Sequence, residues 1–157
     1  MKLRNITLYA FMILCLIQGP ARASLFNIPK DWFPVGINVG RSSDDGGHAG
    51  IELSYVTTGQ DHVFYGFYGD FLITGEGYRA SFGPEIGTII NKSDLFMGVV
   101  LDGGPLIVSN DRGTHLGGAV RLTFPVYTVM PYLRGGGYKG TGFAELGVLL
   151  KFPFPAR

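Results

Sequence analysis

The chain has few charged residues and a single cysteine. Asp, Glu, Lys and Arg make up 16% of its 157 residues, against about 25% in a typical soluble domain. The cysteine, Cys15, lies in an apolar segment near the N-terminus, so the rest of the chain offers neither a disulfide framework nor a thiol metal site. Few charges also leave little material for a hydrated surface. The composition therefore disfavours an ordinary soluble globular domain.

The chain also lacks an apolar run long enough for a membrane-spanning helix, which needs about 20 residues. Its longest run, residues 6–17, is only about a dozen residues, too short to span. This run follows a short basic segment and precedes the A-x-A sequence of residues 21–23. That order is typical of a cleaved secretory signal. We therefore predict a signal peptide over 1–23 and an exported protein.

Basic residues are not in excess once the signal is removed. The signal carries three of the 13 Lys and Arg residues and none of the 12 Asp and Glu residues, so ten basic residues face twelve acidic ones. A nucleic-acid interface needs a basic patch, so no nucleic-acid partner is predicted. No His, Asp and Glu spacing matches a metal site. No cofactor is predicted either.

What the chain has in abundance is alternation of apolar with small or polar residues. In 144–154 every even position is apolar, while the odd positions include Glu145, Gly147 and Lys151. A period of 2 places successive side chains on opposite faces of a β-strand. In an exported chain with few charges, the apolar face is expected to meet lipid and the polar face to fill a lumen. The 25 glycines suit a narrow barrel with small inward residues.

Turn-forming residues divide 35–154 into eight alternating strands. Their predicted bounds are about 35–41, 49–57, 62–72, 78–90, 95–108, 114–124, 127–135 and 144–154. Because lipid offers no partner to an open sheet edge, we predict an all-β fold, a closed antiparallel up-and-down transmembrane β-barrel of eight strands. Residues 24–34 are expected to form an irregular or briefly helical periplasmic lead-in.

Two glycine-rich segments are expected to disturb this regularity. The sequence Gly-Gly-Pro at 103–105 should interrupt the fifth strand, because proline removes a ladder donor and glycine favours a bulge. The strand register after residue 103 is left open. Residues 135–142 should link the last two strands. In the seventh strand, Tyr127, Val129 and Leu133 are expected to face outward.

The final strand carries a specific resemblance. Its outward residues end in an aromatic side chain and are Leu146, Val148, Leu150, Phe152 and Phe154. With this ending, residues 35–154 resemble the small eight-stranded outer-membrane β-barrel superfamily, which includes the transmembrane domain of outer membrane protein A. The resemblance implies an outer-membrane location, contact with membrane lipid, and recognition of this strand by the barrel-assembly machinery. Residues 155–157 follow the last aromatic, a departure from the superfamily pattern. The oligomeric state is not predicted.

Inward positions collect nine charged side chains, four positive and five negative. They are Glu52, Asp70, Arg79, Glu85, Asp102, Arg121, Arg134, Glu145 and Lys151. Buried charges are tolerated only when they are paired and hydrogen-bonded. We therefore expect an interstrand ion-pair network that fills the lumen, in a protein with a structural or accessory role in the cell envelope.

Two non-enzymatic alternatives use the same residues differently. A small gated pore or ligand-binding barrel would keep the charges inward but leave them space. A soluble periplasmic lipocalin-like binding protein would reverse the faces, with Leu146, Val148 and Leu150 inside and Glu145 and Lys151 in water. Low charge and high glycine content weigh against that reversal.

A lipid A-modifying enzyme is a further alternative. Some small outer-membrane barrels of this kind carry a histidine and a serine near the outer leaflet. His48 is placed in the first external loop after Ser42 and Ser43, and His115 lies near the third, whereas His62 falls at the periplasmic end. No His-Ser motif of such enzymes is found, so no catalytic residue is predicted. External loops of four to eight residues also disfavour a receptor surface.

Overall fold

The computed structural model describes residues 30–59, 62–91 and 97–156. Within these ranges the chain forms nine β-strands: β1 (Asp31–Trp32), β2 (Val35–Ser42), β3 (Gly46–Thr58), β4 (Val63–Thr74), β5 (Gly77–Asn91), β6 (Met97–Asn110), β7 (Gly113–Thr123), β8 (Val129–Tyr138) and β9 (Thr141–Phe152). The predicted signal peptide, 1–23, and residues 24–29 of the lead-in lie outside them. No helix in the described ranges is long and apolar enough to cross a membrane.

Strands β2 to β9 form a closed barrel. Each strand pairs antiparallel with its neighbours in sequence, and β9 returns to pair with β2. The predicted all-β fold, an eight-stranded closed antiparallel barrel, is therefore confirmed. The short strand β1 pairs with β3 in the register that β2 already has, so it extends β2 rather than adding a ninth wall strand. Residues 31–32 thus differ from the irregular or helical lead-in that was predicted.

The stagger of the strands sets the width of the barrel. Stepping between paired residues from Ser42 leads once round the wall and back to the β1–β2 strand at Trp32, ten residues away; the path is Ser42, Glu145, Arg134, Arg121, Asp102, Glu85, Gly66, Val56, Trp32. Ten residues at about 3.3 Å over eight strands about 4.8 Å apart give a strand tilt of roughly 40°. The corresponding backbone radius is about 8 Å, which leaves a lumen that side chains can fill.

Side chains alternate between the lumen and the outside along each strand. On β2, Ile37 and Val39 are 51% and 56% exposed, whereas Asn38 between them is fully buried. On β9, Leu146 is 63% exposed and its neighbour Glu145 only 3%. The alternation seen in the sequence is therefore the alternation of the wall, with apolar residues outside.

Large inward side chains lie across inward glycines of the adjacent strand. The Tyr132 ring on β8 covers Gly147 on β9, where an added Cβ would lie 2.5 Å from the ring. Phe64 on β4 covers Gly87 on β5 in the same way, at 2.4 Å. The ring on one strand thus occupies the space that a side chain at the paired glycine would fill. Other inward glycines, such as Gly66, instead allow the close approach of two strand backbones.

The interruption predicted at 103–105 is found on one side of the strand only, because residues 103–105 have no paired partners on β5 but stay paired with β7. Strand β6 keeps one register with β7 from Val100 to Asn110. The glycines instead allow close approach of two backbones, because a Cβ at Gly104 would lie 2.1 Å from the carbonyl oxygen of Phe82 on β5. Pro105 faces outward and is exposed. The register shift that does occur lies between Ile89 and Asn91, at the end of β5.

The segment 135–142 is mostly strand, not a link. Strand β8 continues to Tyr138, and only Lys139 and Gly140 turn into β9. At the other end of β8, Tyr127 lies in the preceding turn with a positive φ of 57°. Val129 is buried, contrary to the outward placement predicted for it, because the chain folds back there and Val126 pairs with Val129.

The two ends of the barrel differ in their connections. At the upper end, defined by the four hairpins β2–β3, β4–β5, β6–β7 and β8–β9, the turns are residues 43–45, 75–76, 111–112 and 139–140. These turns have two or three residues, shorter than the predicted four to eight. The lower end carries the longer connections and both the β1 segment and residues 153–156. The upper end therefore offers no extended loop in the described residues.

We predict that Gly147→Ala destabilises the barrel by about 1–3 kcal/mol, because its Cβ overpacks a ring that cannot move aside. Gly142→Ala on the same strand is the control, since its Cβ would meet nothing closer than 3.8 Å. Equilibrium unfolding in urea measures both free energies. Equal stability of the two variants would contradict the packing described.

Candidate functional site

All nine charged residues assigned to the lumen from the sequence are buried there. None is more than 7% exposed. They lie on every barrel strand except β2, at positions that alternate with exposed apolar residues. The candidate site is therefore the lumen, and the question is which charges the fold brings together.

Five of these charges are consecutive partners around the wall. The paired positions run Glu145, Arg134, Arg121, Asp102, Glu85 from β9 to β5. Two arginines are thus direct neighbours, an arrangement that is destabilising between adjacent strands unless other groups compensate. The compensation comes from carboxylates on β3 and β4, which reach these arginines across the lumen.

The lower of two ion-pair chains alternates acid and base through five residues. Arg121 binds Asp102 with its Nε, 2.9 Å from Oδ2, and Glu52 with its Nη1, 2.5 Å from Oε2. Lys151 lies 2.8 Å from the other oxygen of Glu52 and 3.3 Å from Glu85 Oε2. Each cation therefore contacts two carboxylates. We call Asp102, Arg121, Glu52, Lys151 and Glu85 the lower chain.

The upper chain repeats this alternation toward the hairpin end. Arg134 donates to Asp70, and its Nη1 lies 3.6 Å from Glu145 Oε1. The other oxygen of Glu145 lies 3.3 Å from Arg79 Nη1. The Arg79 guanidinium also rests 4.4 Å from the ring centre of Phe143. Asp70, Arg134, Glu145 and Arg79 form the upper chain, anchored at its top by an aromatic ring.

The β2–β3 turn closes onto the upper chain. Arg79 Nη2 lies 2.5 Å from Asp44 Oδ1 and 2.9 Å from Asp45 Oδ2. Burial raises the pKa of Asp44, but hydrogen bonds from Ser42 and Arg79 outweigh it, so the pKa lies below 3.8. Burial raises the pKa of Asp45 above 3.8, which Arg79 offsets only in part. Both carboxylates of the turn thus bind Arg79, a residue of the lumen.

Tyr132 is the central hydrogen-bonding group of the lumen. Its hydroxyl lies 2.8 Å from each of Asn38 Oδ1, Glu145 Oε1 and His48 Nε2. The single hydroxyl proton goes to either Asn38 Oδ1 or Glu145 Oε1 at any one time, and the hydroxyl oxygen can accept from His48 in the tautomer that carries the proton on Nε2. Neither Tyr132 nor Asn38 was singled out from the sequence. The signal for Asn38 was its position between Ile37 and Val39, which face outward.

Aromatic rings connect the two chains. The guanidinium of Arg121 lies 5.1 Å from the ring centre of Tyr68 and 5.6 Å from that of Tyr132. Arg134 lies 5.9 Å from the same Tyr132 ring. Cation–π contacts of this kind strengthen as water is excluded. The two neighbouring arginines therefore both contact the Tyr132 ring.

Apolar side chains fill the lumen beyond the charges. Toward the lower end, Val56, Phe64 and Val100 pack together, with Trp32 and Ile89 against them. Toward the upper end the packed residues are Leu106, Val108, Ala119 and Phe143, with Tyr138 against them. Charged, aromatic and aliphatic groups thus occupy the lumen along its length.

The three histidines do not share a site. His48 is not in a loop, as was predicted; it lies on β3, buried, 3.4 Å from Glu145 Oε1. The nearby Ser42 hydroxyl donates to Asp44. His115 stacks on Tyr138 at the upper end, and His62 lies at the lower end. Among the described residues, no group of three His, Cys, Asp or Glu side chains is placed to hold a metal ion.

The outer face of the wall is apolar on all sides. Exposed large apolar residues occur on each of β2 to β9. Among the described positions of these eight strands, Arg41 is the one outward residue that carries a charge. A hollow of about 560 Å³ on this face lies over Pro84 and Gly103, with Phe67 and Val120 at its sides. Charge is thus inside and apolar surface outside.

Comparisons with protein-family models, with curated proteins and with solved structures found no match. The interpretation of the lumen and the wall therefore depends on their geometry and chemistry.

We predict that Arg121→Met destabilises the barrel by about 3–5 kcal/mol, because it leaves Glu52 and Asp102 buried without their shared partner. Arg112→Met, in the exposed β6–β7 turn, is the control and should change stability by no more than about 0.5 kcal/mol. Urea unfolding of the refolded barrel measures both.

Removing the orphaned charges provides a second check on the same pairings. The triple variant Arg121→Met, Glu52→Gln, Asp102→Asn should recover part of the lost stability, because neither former partner of Arg121 is left with a buried, unpaired charge. If Arg121→Met and Arg112→Met were equally stable, the lower chain would not have the role described.

Proposed function

We propose that this protein is an integral β-barrel of a bacterial outer membrane, exported through a cleaved signal peptide over 1–23, with a structural or accessory role in the cell envelope. The observation that carries the proposal is the inverted distribution of polarity. Nine charged residues are buried in the lumen, while 24 large apolar side chains are exposed on the described residues. Soluble monomers seldom expose contiguous apolar surface of this extent.

The height of the apolar surface supports the same proposal. On β9 and the residues after it, the outward side chains run from Ala144 to Phe154. Ten residue steps of about 3.3 Å at a tilt of roughly 40° cover about 25 Å along the barrel axis. This equals the apolar band of outer-membrane barrels, about 25 Å tall. The exposed Phe152 and Phe154 then lie at the lower interface.

The polarity of the lumen weighs against a soluble lipocalin-like barrel. In that alternative, Leu146 and Val148 would face the lumen and Glu145 would face water. Leu146 and Val148 are instead 63% and 39% exposed, and Glu145 is 3% exposed. Ligand pockets are also lined mostly by apolar side chains, whereas ion pairs cross this lumen.

The final strand supports an assembly partner. Leu146, Val148, Phe152 and Phe154 are exposed, and Leu150 is half-buried. We therefore propose that the barrel-assembly machinery recognises this strand during biogenesis. The tail after Phe154 is not loose, because Pro155 pairs with Trp32 and the Ala156 amide donates to the Asp31 carbonyl. Residues 155–156 thus connect the end of the barrel to the β1 segment.

We predict that the protein fractionates with outer membranes and that the folded barrel migrates anomalously on unboiled SDS gels. Val148→Arg should impair insertion or stability, because a charge on the lipid face near mid-bilayer costs about 2–4 kcal/mol. Thr114→Arg, exposed at the upper end of β7, is the control. Normal assembly of Val148→Arg, or recovery of the wild type without detergent, would contradict the proposal.

We also predict no sustained ion conductance and no turnover of lipid A. The lumen is occupied along its length, and His48 is buried against Tyr132 and Glu145 rather than exposed beside a serine. Planar-bilayer recording measures the first activity and mass spectrometry of lipid A from expressing cells the second. Stable unitary conductance would favour the pore alternative. An acyl change lost in His48→Ala or His115→Ala would favour the enzyme.

A further inference from the structure

Arg41 is the exception to the apolar wall. It is exposed on the outer face of β2, one residue before the strand ends at Ser42. Its paired neighbours are Gly47 on β3 and Leu146 on β9. Within the described residues no carboxylate lies within 4.0 Å of its guanidinium, so it is an unpaired cation on an apolar surface.

Every carboxylate on the adjoining elements is engaged elsewhere. Asp44 and Asp45 in the turn that follows β2 both bind Arg79. Glu145 on β9 binds Arg79 and Arg134, and Glu52 on β3 belongs to the lower chain. The fold therefore takes the nearby negative charge into the lumen and leaves Arg41 outside without a counter-ion.

The surroundings of Arg41 leave its head accessible from the side. Gly47 presents no side chain beside it, and an added Cβ there would meet nothing closer than 4.0 Å. Below Arg41 on the same face, Val39 and Ile37 are exposed and apolar. A long arginine stem can lie along such a surface while its head reaches the interface.

We propose that Arg41 binds the phosphate group of a membrane lipid at the upper interface. This inference depends on the proposed membrane location. A planar guanidinium matches phosphate with two parallel hydrogen bonds and a full charge. At the strand end the cost of a lipid-facing arginine is much smaller than at the centre of the bilayer, so an anionic headgroup can offset it. The headgroup supplies the counter-ion that the protein withholds.

The test compares lipid selectivity of three variants in vesicles of phosphatidylcholine with and without phosphatidic acid. Spin-labelled phosphatidic acid and phosphatidylcholine report their relative association with the barrel. Arg41→Gln should lower the preference for phosphatidic acid by roughly five-fold, the effect of one interfacial basic residue. Arg112→Gln, which removes the same charge from an exposed turn, should keep the preference. Arg41→Lys should keep part of it, as a charge without the planar fork.

The outcomes separate this inference from the function on which it depends. If the wild type does not enter vesicles, the proposed membrane location is wrong and the inference falls with it. If all variants enter and Arg41→Gln keeps full selectivity, only the inference is overturned. Equal losses in Arg41→Gln and Arg112→Gln would also overturn it. Loss of selectivity with inorganic phosphate, but not with sodium chloride of equal ionic strength, would assign the site to free phosphate instead of lipid.

Discussion

Ion pairing across the lumen is the interaction on which the rest of this structure depends. Arg121 and Arg134 are neighbours on β7 and β8, and each is neutralised by a carboxylate from the opposite wall, Glu52 on β3 or Asp70 on β4. A buried pair contributes little net stability compared with an apolar pair, but breaking one leaves an expensive orphan charge. The network therefore holds opposite walls at one distance, and any strand displaced from the ring would carry an uncompensated charge.

That distance follows from closure. Eight strands and an offset of ten residues around the ring fix a radius of about 8 Å, so that side chains from facing walls meet. Within this width, Tyr132 finds space only because Gly147 beside it has no side chain. The inward glycines and the inward charges thus satisfy the same constraint on how the lumen is filled. The lumen must be crossed by long polar groups and must not be overfilled.

The sequence predicted which side of the wall each charged side chain faces, but not which side chains it contacts. Glu52 and Lys151 were placed inward because a period of 2 follows from the covalent geometry of a strand. Their contact across Gly36 could not be predicted, since it depends on the registers of β2 with both β3 and β9. The effect of segment 103–105 was predicted only in part and segment 135–142 was misread, because glycine marks turns and close backbone approach alike, and only the facing strand distinguishes them. His48 was assigned to a loop because the β2–β3 turn is shorter than its Ser, Asp and Gly content suggested.

The same network bears on how a barrel with this wall selects its register. Apolar side chains on the outer face discriminate weakly between registers, because each gives the same contact wherever it lies. A slip of one residue would turn Glu145 and its neighbours outward into the apolar surface. A slip of two residues would keep them inside but separate Arg121 from Asp102, its direct partner on β6. We infer that the inward charges specify the strand register. The outward apolar residues determine which environment the outer face of the wall prefers, so the two faces of each strand have separate roles.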